Sequence, residues 1–326
     1  MSWSKPYLSF EEQILRISEY GISIDSLEDA IVDLRRLGYY RLSGYWYPHR
    51  LPDPNGPEGA LLDRVHEGVR FRDIVQMCDF DDELRSLLLE ALGTVELSIR
   101  VSIAYRLGRY GGMAYLSPEA WSQHQRMTPS PEPVSASQSP PESPFETFLR
   151  KHREMVERAK EDFVVHFKTR YGGDIPIWAA IELWDFGTLS RAFRMLKPED
   201  RQVVAGQYRV SHRVFGSWLV ALNDLRNFCA HHARLSRRVY VNKPRIPRST
   251  DLPEFSHIPL PEPGDKERLN SLLCLLAFLE RQIRPLSKWR DQVVGQFSKL
   301  EDMQWGNPSA YGLPDGWRAE SLWADP

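Results

Sequence analysis

The sequence contains few cysteines and no paired cysteine spacing. Its three cysteines, Cys78, Cys229 and Cys274, are an odd number spread over 326 residues, so they offer neither a disulfide framework nor a zinc finger. This usage is typical of the reducing cytoplasm, and we expect a cytoplasmic protein.

Long apolar runs are also missing. No stretch of about 18 uninterrupted apolar residues occurs, and the first residues, MSWSKPYLSFEEQ, lack the basic segment and apolar run of a secretory signal. The sequence therefore indicates neither membrane spanning nor secretion, and no membrane partner is expected.

An overall excess of positive charge is absent as well. The chain has 42 Lys and Arg against 44 Asp and Glu, which gives a net charge of -2. A protein of this composition can bind an anionic polymer only through a local basic patch, because its overall field does not attract one.

The common catalytic signatures are missing too. There is no Walker A loop, no G-x-S-x-G elbow, no H-E-x-x-H motif and no glycine fingerprint for dinucleotides. These absences argue against an ATPase, an elbow-type hydrolase and a zinc protease.

Helical periodicity dominates the residues that are present. Apolar side chains recur at helical spacing in two short segments within residues 9–37, with Ser9 and Ser26 as N-caps. One long helix is predicted for residues 73–110. Because alternating strand patterns are nearly absent, the sequence predicts an all-α fold.

Four further helices follow from the same periodicity and from glycines and prolines at their ends. They are predicted at residues 145–171, 177–195, 211–240 and 265–297. The last of them contains Pro285, which predicts a kink.

Composition divides the chain into three parts. Residues 1–70 form a small N-terminal helical and aromatic module that includes a loop rich in Pro and Gly, residues 71–297 form the main helical domain, and residues 298–326 form an irregular tail. Within the main domain, residues 128–144 contain six prolines and five serines and are predicted to be a disordered insertion.

One segment concentrates polar chemistry. Residues 225–238, LRNFCAHHARLSRR, bring an arginine, an asparagine and two adjacent histidines into seven positions of a predicted helix. On an ideal helix, with about 100° per residue, five polar side chains share a face about 140° wide. They are Asn223, Arg226, Asn227, His231 and Arg234.

The two histidines are predicted to differ in role. His231 lies on the polar face and is the catalytic candidate, whereas His232 falls on the apolar side, where it is expected to pack inward or to orient a neighbour. This assignment presumes an unbroken helix through residues 211–240.

These side chains suit RNA cleavage without a metal ion. An imidazole can take the 2'-hydroxyl proton or protonate the leaving 5'-oxygen, while Arg226 holds the phosphate and Asn227 positions it. DNA has no 2'-hydroxyl, so the mechanism selects RNA. One well-placed imidazole per chain supplies one proton-transfer group, so we expect a homodimer in which two chains share a site.

A local basic patch follows the polar segment. Residues 225–250 contain seven Lys or Arg and no Asp or Glu. They are Arg226, Arg234, Arg237, Arg238, Lys243, Arg245 and Arg248. Such a run can bind RNA phosphates, although basic runs are usually solvated surface.

Two other groups are candidates for supporting roles. Tyr39, Tyr40 and Arg41 could stack and hold unpaired bases, with core packing as the alternative for the aromatic rings. Glu96 and Arg100, spaced i, i+4, could contact the helix with the polar segment or form an ordinary surface ion pair.

Two further readings of the polar segment are unfavourable. Cys229 falls on the apolar face, where a cysteine is usually inert. A metal site at His231 and His232 lacks further ligands at suitable spacing, so neither a metal nor another cofactor is expected.

The polar segment and several blocks before it resemble a known family. RNFCAHH fits the R-x4-6-H signature of HEPN domains, with Arg226 and His231 in the signature positions, and LRNFCAHHARL is similar to the motif of Abi-like proteins of the AbiD and AbiF type. Four blocks are similar to that family in the expected order. They lie at residues 5–14, 38–50, 83–111 and 176–193.

This resemblance implies an all-helical HEPN bundle and a metal-independent endoribonuclease whose dimer brings two motifs together. It also implies a toxin-like role in phage defence by abortive infection, in which some relatives are restrained by a small antitoxin RNA. A non-catalytic RNA-binding regulator and an inactive helical scaffold remain as alternatives, and the intact Arg, Asn and His favour the enzyme. The insertion at 128–144 and the tail beyond residue 300 depart from the family pattern.

Overall fold

The structure, a computed structural model, describes residues 6–123, 142–258 and 268–324. Within these ranges the chain is mostly helical and forms twelve α-helices and one two-stranded sheet, which confirms the all-α class. The helices are α1 (Phe10–Glu19), α2 (Leu27–Leu37), α3 (Tyr39–Trp46), α4 (Phe71–Gly108), α5 (Pro144–Arg158), α6 (Asp162–Arg170), α7 (Ile177–Ala180), α8 (Phe186–Met195), α9 (Pro198–Gly206), α10 (His212–Ala230), α11 (Leu269–Ile283) and α12 (Trp289–Glu301).

The first two helices begin at the serines that the sequence predicts. Ser9 accepts the backbone N–H of Glu12, and the Glu12 side chain accepts the N–H of Ser9, which completes a capping box. Ser26 accepts the N–H of Asp29. Both predicted N-caps are confirmed.

A small hairpin follows α3. Strand β1 (Arg50–Pro52) pairs antiparallel with β2 (Leu61–Val65), so that Arg50 lies opposite Val65 and Pro52 lies opposite Leu61. The sequence analysis missed it because strands of three and five residues contain too few positions to display an alternating pattern.

Helix α4 is the axis of the fold. Its 38 residues extend for about 57 Å at 1.5 Å per residue, and α3, α8, α9, α10, α11 and α12 all pack against it. Buried apolar residues recur along it at helical spacing, from Leu84 and Leu88 to Ile99 and Ile103. The long helix predicted at 73–110 is confirmed.

Three predicted helices are broken where the sequence analysis expected continuity. The segment 145–171 forms α5 and α6, because Ala159 and Glu161 adopt extended conformations between them. The segment 177–195 forms α7, a 3-10 turn and α8. The segment 265–297 is separated at Pro285 into α11 and α12 rather than kinked, and residues 265–267 lie outside the described ranges.

Helix α9 was not predicted, and the insertion ends earlier than expected. Residues 128–141 of the predicted insertion lie outside the described ranges. The remaining end is ordered helix: Ser143 is the N-cap of α5, in a capping box with Glu146, and Pro144 is its first residue.

The tail after α12 contributes to the core although it lacks long helices. It contains two short 3-10 turns, and Tyr311, Leu313 and Trp317 are buried.

None of the described helices combines the length and the apolar character that crossing a bilayer requires.

A buried carboxylate joins α4 to three other parts of the chain. Asp81 on α4 is fully buried. Its Oδ2 accepts the hydroxyl of Tyr45 on α3 at 2.8 Å and the backbone N–H of Leu235 at 2.8 Å, and its Oδ1 accepts the hydroxyl of Tyr311 in the tail at 2.7 Å. The Arg85 guanidinium lies 3.9 Å away. Burial raises the pKa of Asp81, and these partners act against that rise.

We expect Asp81→Ala to lower the free energy of unfolding by about 3 to 5 kcal/mol, because it leaves Arg85 and several donors buried without their acceptor. Urea denaturation followed by circular dichroism measures this loss. Asp302→Ala, at an exposed carboxylate after α12, is the control and is expected to change stability by less than about 0.5 kcal/mol. Equal stability of the two variants would contradict the role given to Asp81.

Candidate active site

Helix α10, which carries the Arg-Asn-His segment, is shorter than predicted. It begins after its N-cap Ser211, as expected, and ends at Ala230 rather than near residue 240. His231 is its C-cap and donates its backbone N–H to the carbonyl of Asn227 at 2.9 Å. The prediction of an unbroken helix through 211–240 is therefore wrong.

A Schellman motif closes the end of α10. The N–H of His232 donates to the carbonyl of Cys229 at 3.1 Å, and the N–H of Ala233 donates to the carbonyl of Phe228 at 2.9 Å. His232 has a φ of 52° and occupies the left-handed position that glycine usually takes. A side chain in that conformation costs about 1 to 2 kcal/mol, because its Cβ approaches the following carbonyl oxygen.

This turn changes the expected difference between the two histidines. Because the chain leaves the helical path at His232, the imidazole does not reach the apolar face, and both His231 and His232 are exposed. The prediction that His232 packs inward is wrong. Cys229 is buried as expected, and burial raises the pKa of its thiol to about 12, which makes it a poor nucleophile.

Two arginines from other helices hold the turn. Arg41 of α3 donates to the carbonyl of His232 at 2.7 Å, and Arg85 of α4 donates to the carbonyl of Ala233 at 2.9 Å. Both guanidinium groups face the partial negative charge at the C-terminus of α10. Arg41, predicted to bind RNA, thus has a position that fixes the histidine turn.

Arg226 lies beside Asn227 and has no carboxylate of the described residues at ion-pair distance. Its Nη1 donates to the Oδ1 of Asn227 at 3.5 Å, a long contact. Its charge acts on Glu96 of α4: burial raises the pKa of Glu96, and Arg100 and Arg226 lower it. The guanidinium is therefore available to an external anion.

Glu96 and Arg100 form the ion pair that their spacing predicts, and it is not an ordinary surface pair. Their closest atoms lie 2.9 Å apart, and both side chains are at least four-fifths buried. Arg100 also donates to Glu182 at 3.2 Å and to the backbone carbonyl of Trp184 at 3.1 Å. This network joins α4 to the segment between α7 and α8, beside Arg226.

Asp185 is a residue of this region that the sequence analysis missed. It is the N-cap of α8 and accepts the N–H of Thr188 at 2.6 Å. A Cβ at Gly187 would lie 3.2 Å from the Oδ1 of Asn223 and 3.5 Å from the Oδ1 of Asp185. The glycine thus permits the close approach of α8 to α10, and the D-x-x-T capping pattern was the overlooked signal.

A buried histidine supports the Trp184 segment. The Nδ1 of His152 on α5 accepts the indole N–H of Trp184 at 3.3 Å, and its Nε2 lies 3.1 Å from the hydroxyl of Tyr115. Burial lowers the pKa of His152 to about 4, so the ring is neutral at physiological pH. His152 therefore has a structural role.

The predicted basic patch divides into structural and exposed members. Arg234 donates to the carbonyl of Gly44, and Arg238 donates to the carbonyl of Arg234 at 2.8 Å while lying 4.1 Å from the ring centre of Phe228. Of the other five, Arg226 is half-buried and four are exposed: Arg237, Lys243, Arg245 and Arg248.

The aromatic run before the hairpin is also divided. Tyr45 and Trp46 are buried, and Tyr39 packs edge-on against Trp46 with ring centres 5.3 Å apart. Tyr40 is 91% exposed and is next to Arg41, which contacts the histidine turn. Core packing thus accounts for Tyr39, Tyr45 and Trp46 but not for Tyr40 or for Tyr47, which is 54% exposed.

Metal ligands are not grouped in the part of the chain that the structure describes. No three His, Cys, Asp or Glu side chains in these ranges are arranged to hold an ion. The described groups that can act on a bound RNA here are guanidinium, amide and imidazole.

Because His232 occupies a left-handed position, we expect His232→Gly to leave stability unchanged or to raise it by up to about 1 kcal/mol. Ala230→Gly, two residues earlier in the last helical turn, is the matched control and is expected to lower stability by about 1 kcal/mol. Thermal unfolding of both variants measures the difference. A similar loss in both would refute the left-handed turn.

A known protein family spans the helices that build this site. The chain matches the family model described as Abi-like protein over residues 33–236, which is more than half of its length and includes α3, α4, α8 and α10. Comparisons with curated proteins and with solved structures gave no match. The family match links the chain to abortive infection, a form of phage defence. The chain belongs to the Abi-like protein family.

Proposed function

We propose that this Abi-like protein is a metal-independent endoribonuclease that acts as a toxin in phage defence. One observation carries the proposal: the guanidinium of Arg226 has no carboxylate partner among the described residues and lies beside Asn227, one helical turn before the exposed His231. A cation, an amide and an imidazole at one surface are what phosphodiester transfer requires.

The reaction divides among these three residues. Arg226 binds a non-bridging oxygen of the scissile phosphate, and Asn227 donates its amide to the same group. His231 transfers the proton as the 2'-oxygen attacks phosphorus and the 5'-oxygen leaves. The products are a 2',3'-cyclic phosphate and a free 5'-hydroxyl, and the 2'-hydroxyl requirement selects RNA.

Glu96 and Arg100 are positioning residues in this scheme. The Glu96 carboxylate attracts Arg226 without reaching ion-pair distance, and Arg100 fixes Glu96 through a 2.9 Å contact. Conversion of Glu96 to Gln should therefore weaken RNA binding less than loss of Arg226 does, since it removes only the charge that orients the guanidinium.

The second proton-transfer group has two possible sources. A partner subunit could supply its own His231, as a shared two-fold site requires. His232 of the same chain is the other source, because it is exposed beside His231. We favour the dimer because α4 presents an exposed apolar stripe next to Glu96 and Arg100.

This stripe is formed by Leu97, Val101 and Tyr105, which follow one another at i, i+4 and i+8 and are 55%, 57% and 80% exposed. Apolar side chains grouped in this way often mark an interface. The apolar run of α11, in contrast, is buried within the chain and is not free to form an interface. The α4 stripe is therefore the proposed contact between two copies.

We expect purified protein to cleave RNA in the presence of EDTA and to leave 2',3'-cyclic phosphate or 3'-phosphate ends. Arg226→Ala and His231→Ala should each reduce cleavage at least about 100-fold with unchanged melting temperatures, since His231 is exposed and the half-buried Arg226 forms no ion pair among the described residues. Arg64→Ala and His166→Ala, at exposed sites outside α10, are the controls. Products with 3'-hydroxyl ends, or a strict need for magnesium, would exclude this mechanism.

We also expect Val101→Glu to dissociate the dimer and to abolish cleavage without unfolding the chain, because a buried unpaired carboxylate opposes association. Val165→Glu, at a valine of α6 that is 50% exposed, is the matched control. Light scattering, with and without a short RNA carrying 2'-O-methyl groups, measures the assembly, and RNA should tighten it by screening the apposed basic residues. If a monomer cleaves at the full rate per chain, the second proton-transfer group is His232 of the same chain and not His231 of a partner subunit.

A further inference from the structure

A second basic surface lies along the N-terminal half of α10, away from Arg226. It is an open groove of about 590 Å³ between α8, α9, α10 and the segment after α10. Four arginines and one histidine line it: Arg194, Arg201, His212, Arg213 and Arg245. We call it the Arg213 groove.

The cations of the Arg213 groove have no acidic partners in the described ranges. None of its four arginines forms an ion pair there, whereas Asp200, next to Arg201, pairs with Arg106 of α4 and accepts the hydroxyl of Tyr110, two residues after α4. The Nε of Arg201 is buried without a hydrogen-bond acceptor among described residues. Burial and the charges of Arg201 and Arg213 lower the pKa of His212. The positive charge of the groove is thus uncompensated.

One of these groups, Arg213, lies where its charge opposes the stability of α10. His212 and Arg213 are the first residues of the helix, and its first turn contains no acidic residue. The N-terminus of a helix carries partial positive charge, so a cation there costs about 0.3 to 1 kcal/mol. Helices α1 and α2 show the usual arrangement, with acidic residues in the first turn. Residues that lower stability are expected at functional sites, so the position of Arg213 favours a binding role for this surface.

The Arg213 groove lies on the side of α10 that carries Asn227, and the Arg226 guanidinium, from a position further around the helix, contacts the Oδ1 of Asn227 at 3.5 Å. Arg213, Val220 and Asn227 follow at steps of seven residues, which return to nearly the same face. Arg213 precedes Arg226 by thirteen residues, or about 20 Å along the axis.

The surface between the groove and the active site is mixed in charge. Arg191 of α8 lies there, with its Nη2 3.8 Å from the Cβ position of Gly187, beside Asn223. Asp224 also lies on this side of α10, but its Oδ2 accepts the amide of Asn242 at 2.6 Å. The amide donor partly satisfies this carboxylate, and a second carboxylate, that of Asp185, lies 3.5 Å from the same Cβ position of Gly187.

We propose that the Arg213 groove binds backbone phosphates of the same RNA whose scissile phosphate is held by Arg226. The distance of about 20 Å corresponds to about six nucleotides of a stacked strand at about 3.4 Å per phosphate. The groove therefore sets a minimum substrate length on one side of the cut. This inference rests on the proposed function, since it takes Arg226 as the cleavage position.

Fluorescence anisotropy with 2'-O-methyl RNAs of four and twelve nucleotides tests the proposal. Arg194→Ala/Arg213→Ala, two exposed residues of the groove, should weaken binding of the longer RNA roughly tenfold and reduce the slope of log affinity against log salt by about 1.4, or 0.7 per lost contact. Affinity for the shorter RNA should change little. The double variant Arg64→Ala/Arg170→Ala removes the same charge from exposed sites elsewhere and is the matched control.

The melting temperature separates a binding role from a structural one. Because Arg213 opposes the dipole of α10, the single variant Arg213→Ala should leave the melting temperature unchanged or raise it. Its affinity for the longer RNA should fall. Wild-type affinity of Arg194→Ala/Arg213→Ala for the longer RNA would overturn the proposal, as would an equal loss with the shorter RNA. Binding of a nucleoside triphosphate in the groove would also overturn the proposal, provided that the two substitutions leave RNA affinity unchanged.

Failure of the groove can be distinguished from failure of the proposed function. One outcome is that cleavage depends on Arg226 but Arg194→Ala/Arg213→Ala binds RNA with wild-type affinity. The proposed role of the groove would then be wrong, and the proposed nuclease activity would stand. Length-dependent binding that requires Arg194 and Arg213, without any cleavage by the wild-type protein, would support the groove and identify an RNA-binding protein instead of an enzyme.

Discussion

The carboxylate of Asp81 accepts hydrogen bonds from α3, from the segment after α10 and from the tail, and it does so in a fully buried position. A buried charge is tolerated only when all its partners are present, so these segments are expected to fold together. The turn that carries His231 and His232 is thereby coupled to parts of the chain distant in sequence. Tyr311, one of the three partners, lies outside the range shared with the family, 33–236. The tail thus supports a site that the family segment carries.

Arginines perform two different tasks around α10, and their partners separate the two. Arg41, Arg85 and Arg234 donate to backbone carbonyls and fix the path of the chain where the helix ends. Arg226 and the lining of the Arg213 groove have no such acceptors for their charge in the described structure. Composition alone cannot separate these tasks, because a basic run counts both kinds of arginine equally. Three-dimensional packing assigns each guanidinium to the fold or to an external phosphate.

The sequence predicted features that depend on local signals and missed those that depend on packing. Long apolar periodicity located α4, and the capping serines located α1 and α2, because each signal lies within a few residues. Helix ends without glycine or proline were missed: α10 stops at a turn in which His232 takes the glycine position, and α8 begins at Asp185 inside a predicted helix. The polar face of α10 was foreseen from its spacing. The Arg213 groove was not, since its arginines span residues 194–245 and meet only in the folded chain.

Helix α10 carries an unfavourable residue at each end, Arg213 in its first turn and His232 in its closing turn. Substitutions that relieve either cost add stability while removing a group of the proposed RNA surface. Cells that escape the proposed toxicity by such mutations would therefore accumulate folded, full-length protein, because quality control removes destabilised chains and not inactive ones. Selection of this kind would leave a stable, inactive protein in the cell, a genetic outcome that differs from simple loss of the gene product.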